Sequence, residues 1–236
     1  MRLPWGEPAK GPRVRQLSIA GREIPVTIAR HRLARRYVVR VSADGGVRLT
    51  VPRGASLAGG FAFAARQADW IAREMDRHRQ RHAPWADGSR TWFRGELVPI
   101  AVAGSRAMIG SEIVPLRSAK DDVRAAVEGR LRSLAADELP RRCLALARAA
   151  GVHVGRVSVR NQRSRWGACS PTGLITLNWR LIQMPPSVSD YVMFHELAHV
   201  KHPNHSRRFW REVERICTTW RDAERWLRKQ GRELLP

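Results

Sequence analysis

The stretch Phe194-His195-Glu196-Leu197-Ala198-His199-Val200-Lys201-His202-Pro203-Asn204-His205-Ser206 decides how the C-terminal half of the chain is organised. Histidines four apart on a helix lie about 40° apart around its axis and roughly 6 Å apart along it, so both rings can lean onto one metal ion. The glutamate between them then stands beside the metal's open position. A plain amphipathic helix with satisfied histidines is the competing interpretation, and a third donor argues against it. On an unbroken helix His202 would lie about 10 Å from His195 along the axis, whereas nitrogens on one tetrahedral zinc are only some 3 to 4 Å apart. Pro203-Asn204 should end the helix and turn the chain, which lets His205 swing back to the metal. Ser206 then opens a new helix, with Phe209, Val213, Ile216, Cys217 and Trp220 on its buried face. Three neutral imidazoles leave zinc its double positive charge, which lowers the pKa of a bound water to about 7. Glu196 is the candidate general base, and the expected cofactor is one zinc ion per chain. A histidine-only set with an open position indicates catalysis, since structural zinc is normally closed by four protein ligands.

Working outward, Pro185-Pro186 ends an extended region, and Ser187 or Ser189 is placed to cap the metal helix. Residues 157–160 and 174–177 read as two strands, expected to pair antiparallel across Pro171-Thr172-Gly173. A long helical pattern from Val123 to Ala150 precedes them, interrupted or kinked at Pro140. The composition shift at Asp121 places a domain boundary near residue 119. Upstream, residues 1–13 are a proline- and glycine-rich leader expected to be flexible. Residues 22–29, 37–42 and 47–51 have strand character, with a hairpin signal at Asp44-Gly45-Gly46, so a small antiparallel sheet is expected. Residues 56–81 carry one apolar helix face closed by Pro84, and 91–102 and 108–116 look like further strands. The fold class is therefore α+β: an N-terminal antiparallel sheet plus helix over 14–119, then a metallohydrolase domain over 120–236 with a short sheet beside the metal helix.

Forty-three basic residues stand against 21 acidic ones, a net charge of +22. That surplus draws a protein toward polyanions such as nucleic acid or nucleotides. Thirty-nine of the basic residues are arginine, as a compositionally biased genome would give, but such a bias does not explain the shortage of acids. Three widely spaced cysteines without a CxxC pair suggest reduced thiols, neither a disulfide framework nor a cysteine zinc knuckle. No run approaches the roughly 18 apolar residues of a membrane span, and Met1 to Lys10 has no apolar signal core, so no membrane partner and a cytoplasmic location are expected.

Three segments, Arg163-Ser164-Arg165-Trp166-Gly167-Ala168-Cys169-Ser170, Leu177-Asn178-Trp179-Arg180-Leu181 and His195 to Trp210, together resemble the YgjP-like metallopeptidases. The resemblance is strongest from about residue 157 onward and extends to the front helix with Asp69-Trp70-Ile71. It implies a zincin-like domain in which His195, His199 and His205 bind zinc, Glu196 is catalytic and the substrate is a peptide or protein. The HExxH-x5-H spacing is also that of the SprT-like and WLM proteases. Metzincins are excluded, because they have glycine where this chain has His202 and a methionine turn that is missing downstream of His205. Two alternatives stay open: a pyrophosphatase acting on UTP-type nucleoside triphosphates at the same metal, and a nucleic-acid-binding module with a vestigial site. Arg165, Trp166, Asn178 and Arg180 are candidate substrate-binding residues on a rim before the metal helix, or else members of a packed hairpin with a tryptophan anchor. Cys169 is expected to be structural, since zinc already supplies the nucleophile.

Overall fold

Alternating apolar residues dictate the first sheet: Ile24, Val26 and Ile28 on one strand and Val47, Leu49 and Val51 on another turn the same way and are buried together. The computed structural model describes residues 13–19, 21–42, 46–118 and 122–235. The expected leader lies outside these apart from Arg13, as do Asp44 and Gly45 of the hairpin signal. The strands β1 (Arg13–Ile19), β2 (Arg22–His31), β3 (Val38–Val41) and β4 (Val47–Pro52) are ordered β1-β2-β4-β3. β3 and β4 pair antiparallel as the hairpin signal requires. The sheet is nevertheless mixed rather than antiparallel, because the hairpin sets β4 beside β2, and these two run parallel. The helix expected over 56–81 is two helices, α1 (Leu57–Arg66) and α2 (Ala68–His82). Gln67 separates them with φ −99 and ψ 13. Ser56 caps α1 by accepting from the Gly59 amide, and Ile71 of α2 is fully buried in the sheet's core.

This front region, Met1–Ala83, is one compact unit, and Pro84–Pro236 is the other. The division thus falls well before the boundary near 119 suggested by composition, and packing explains why. In the second unit an antiparallel meander of β5 (Arg90–Phe93), β6 (Glu96–Ala103), β7 (Arg106–Ile109) and β8 (Glu112–Pro115) buries Ile100, Ile109 and Val114 in the same core as Val127 and Leu131 of α3 (Val123–Ala150). The segment 91–102 is two strands, joined where Arg94 and Gly95 both take positive φ, 50 and 92. The amides of that turn donate to the Ile182 and Gln183 carbonyls at 3.1 and 3.0 Å. A Cβ on Gly95 would come within 2.7 Å of Pro185, so only glycine fits. α3 runs through Pro140 without ending, Asp122 capping its start and Gly151, at φ 66, its end.

β9 (Arg156–Arg160), β10 (Gly167–Cys169) and β11 (Leu174–Asn178) form a sheet in the order β10-β11-β9. β9 and β11, expected to be antiparallel, are parallel, because the connection between them contributes β10, which makes the antiparallel turn with β11. A 3-10 turn (Trp179–Gln183) leads to α4 (Pro186–Lys201), followed by α5 (Arg207–Ile216), α6 (Trp220–Lys229) and α7 (Gly231–Leu234). α4 starts without the expected serine cap. Pro186 occupies its first turn, where a proline's fixed φ suits the helix and its missing N–H would have had no partner. Ser189 is instead buried, and Trp220 opens α6 rather than closing α5. Asp190 accepts from both Arg142 nitrogens at 2.9 and 2.6 Å, clamping α4 to α3. Among the described residues no helix is long and apolar enough to cross a membrane.

Candidate metal centre

α4 buries Met193 and Leu197 in the core, which leaves His195 and His199 half-buried on the opposite side, with Tyr191 one turn before His195 at a ring distance of 6.1 Å. The helix ends at His202, whose amide still reaches the Ala198 carbonyl at 2.9 Å. Pro203-Asn204 then bend the chain, and Ser206 starts α5 by accepting from the Phe209 amide. His205, in this short connection, places its Nε2 3.1 Å from the Nε2 of His195. One ligand nitrogen from each of His195, His199 and His205 lies within 4.8 Å of the others. Phe209, fully buried, supports all three rings from below with centroid distances of 4.9, 4.5 and 4.8 Å.

His202 contributes through its main chain. Its carbonyl stands 3.1 Å from His199 Nδ1, and a carbonyl only accepts, so His199 carries its proton on Nδ1 and presents Nε2 to the cluster. Burial, then the charges of His199 and His205, push the His195 imidazole down to about 4, and burial first of all lowers His199 too. Both are thus neutral at pH 7, the form that binds a metal.

Glu196 is 6% exposed and lines the cleft beside the histidines. Burial pushes its carboxyl up to about 7, with Arg165 pulling the other way. The room for this side chain is made by a glycine: a Cβ on Gly167 would stand 2.6 Å from both Cγ and Oε1 of Glu196. β10 therefore lies directly against the carboxylate. Nothing in the sequence pattern assigned Gly167 a role, although a glycine inside a strand is the ordinary mark of such close approach.

A cleft of about 640 Å³ opens over these groups, lined by His195, Glu196, His199 and His205 on one side and by Arg165 and the β10 backbone on the other. Of the four candidate rim residues the structure puts only Arg165 on the cleft lining. Asn178 is wholly buried, its Nδ2 donating to the Gln162 and Arg165 carbonyls at 2.8 and 3.1 Å while its Oδ1 accepts from the Arg180 amide. It holds the loop that carries Arg165. Arg180 stacks on Trp179 at 4.4 Å and donates to Asn161 Oδ1 at 2.7 Å, and Trp166 packs half-buried against the core beside Gly231. Cys169 lines the cleft, but burial and then Glu196 raise its thiol pKa, which keeps it protonated and a poor nucleophile. Cys143, fully buried, is pushed up to about 12.

No curated protein matches the chain. Among solved structures it is similar to the metallopeptidase zymogen of Pyrococcus abyssi abylysin, at 26% identity over 38% of this chain and 91% of that one, with a TM-score of 0.34. The family model for the YgjP-like metallopeptidase domain matches residues 35–230, a span that takes in the histidine cluster, Glu196 and Gly167, and the chain accordingly belongs to the YgjP-like metallopeptidase family.

Proposed function

We propose that the cleft is the active site of a zinc-dependent peptidase with a zincin-like arrangement, in which His195, His199 and His205 hold the metal and Glu196 is the general base. The observation that carries this is the convergence of three imidazole nitrogens beside a buried carboxyl. The donor set suits zinc: neutral imidazoles bind it at about 2.0 Å, which puts neighbouring nitrogens a little over 3 Å apart, and the His195–His205 pair stands at 3.1 Å. When bound, zinc supplies a Lewis acid for the scissile carbonyl and makes water a nucleophile near neutral pH. Glu196 takes the proton of the attacking water on a carboxylate oxygen and passes it to the amine that leaves. Its buried position beside the three histidines sets it where it can both accept and return that proton. β10 is an edge strand, so an extended peptide can pair with its free backbone groups and lie along the cleft. Arg165, on the opposite lip from the histidines, is then a contact for substrate oxygen.

A nucleoside triphosphate would need several cations for its phosphates. Arg165 alone among the described arginines lines the cleft, while Arg180 is engaged with Trp179 and Asn161. That favours the peptide. The test incubates zinc-loaded protein, beside Glu196→Gln, with unfolded protein substrates and with each nucleoside triphosphate. Peptide cleavage should appear in the wild type and fall about 10² to 10⁴-fold in Glu196→Gln with zinc retained. Pyrophosphate release that depends on Glu196, without peptide cleavage, would overturn the proposal.

A further inference from the structure

A second concave surface lies wholly within the front unit. It is a groove of about 730 Å³ lined by Arg35, Arg36, Tyr37, Phe63, Gln67 and Trp70, among others. Three rings therefore border one space. Trp70 is 38% exposed although it is a large apolar side chain. Phe63 lies 6.0 Å from Tyr37 with the planes 24° apart, in stacked orientation. Tyr37 is fixed in place, its hydroxyl donating to the Ser56 carbonyl at 3.0 Å. A Cβ on Gly59 would stand 2.7 Å from that hydroxyl, so α1 is notched to admit the ring.

The charge around the groove is one-sided. Arg35 and Arg36 are exposed and have no hydrogen-bond or ion-pair partner among the described residues, and no carboxylate lines the groove. Residues 1–83 hold 17 basic and 6 acidic residues, against 26 and 15 over the longer stretch 84–236. The net charge of each unit is the same, +11, but the front unit carries it on little more than half as many residues. Solvated arginines are common, yet arginines without acids beside one exposed and two half-buried rings are the two components of a single-strand-binding surface. Cations meet the backbone phosphates and rings stack on bases of any identity.

We infer that this groove binds single-stranded nucleic acid, with Trp70 and Phe63 as stacking platforms and Arg35 and Arg36 as phosphate contacts. The inference is independent of the peptidase assignment, because no residue of the metal centre enters it. An acidic peptide would satisfy the arginines but would leave the rings without a stacking partner.

Fluorescence anisotropy of the full-length protein with labelled oligo-dT and oligo-U provides the test, with a poly-glutamate peptide of equal charge as competitor. Trp70→Ala should weaken oligonucleotide binding about five- to hundredfold, the range for loss of one stacked base. Arg35→Gln/Arg36→Gln, confined to exposed side chains, should reduce the slope of log affinity against log salt by roughly 1.4, about 0.7 for each phosphate that is no longer neutralised. Lysine at both positions should restore that slope. The arginine pair keeps the proposal testable even if Trp70→Ala unfolds. Wild-type affinity in a folded Trp70→Ala, an unchanged salt slope in Arg35→Gln/Arg36→Gln, or equal binding of poly-glutamate would each overturn it. Preference between oligo-dT and oligo-U separates DNA from RNA as the source.

Discussion

The metal-centre cleft and the front groove are both concave, both lined by arginine and aromatic side chains, and built in opposite ways. In the cleft three groups are fixed by their surroundings: His199 by the His202 carbonyl, Glu196 by packing against Gly167, and the Arg165 loop by Asn178. In the groove Arg35 and Arg36 extend into solvent and Trp70 is exposed. Bond-making chemistry loses heavily when reacting groups shift by an ångström, whereas stacking and phosphate contacts tolerate many geometries. Rigidity is concentrated where tolerance is least.

The contrast is broken most sharply at the histidines. His205→Ala should lose zinc or bind it far more weakly and abolish peptidase activity, while His202→Ala should keep near-normal zinc because its contribution is a main-chain carbonyl. Metal analysis of both proteins decides the matter, and normal zinc in His205→Ala would refute the ligand assignment.

Gly167→Ala probes the packing behind the base. The added methyl must displace Glu196, so kcat should fall by about 10- to 100-fold while zinc content stays at wild type. Steady-state kinetics beside metal analysis check this, and unchanged kcat would show that Glu196 has room to move.

Smaller effects fall on stability. Asn178→Ala strands the Gln162 and Arg165 carbonyls and should cost about 1 to 3 kcal/mol in urea unfolding. Smallest of all is Glu212→Gln. Glu212 receives Lys201 from the end of α4 and Arg215 within α5, bracing the connection that carries His205. The Arg215 hydrogen bonds, ahead of Lys201, hold its carboxyl down at about 2, below the ordinary 4.5. A depressed carboxylate stabilises the fold fully above its unfolded value and loses that contribution as pH falls through its folded one. The stability gap between wild type and Glu212→Gln should thus be complete at pH 6 and close between about 4.5 and 2. A gap that persists at pH 2 would assign it to packing instead.

What the sequence disclosed follows a physical division. The α4 pair was legible because helix periodicity is local, and His205 because Pro203-Asn204 must break a helix. The placement of Gly167 was not, since it depends on how closely a strand approaches a helix in space. Alternation in 157–160 and 174–177 revealed strands but carries no information on direction, and their parallel pairing depends on where β10 folds. The boundary expected near 119 marked the start of a helix, not the edge of a core, because β5 to β8 bury their apolar faces against α3. Arg180 and Asn178 looked like rim residues because arginine and asparagine near strand ends serve capping and stacking as readily as recognition.

The Arg94-Gly95 turn bears on how the chain could be shortened. A piece cut to begin at residue 120 would include every residue of the metal centre, yet it would leave the Ile182 and Gln183 carbonyls without their donors and remove the glycine that seats Pro185 at the head of α4. It would also open the Val127 and Leu131 face of α3 to water. Excision at Pro84 keeps that foundation intact, so the shortest piece that retains the metal centre's support is longer than its motifs suggest.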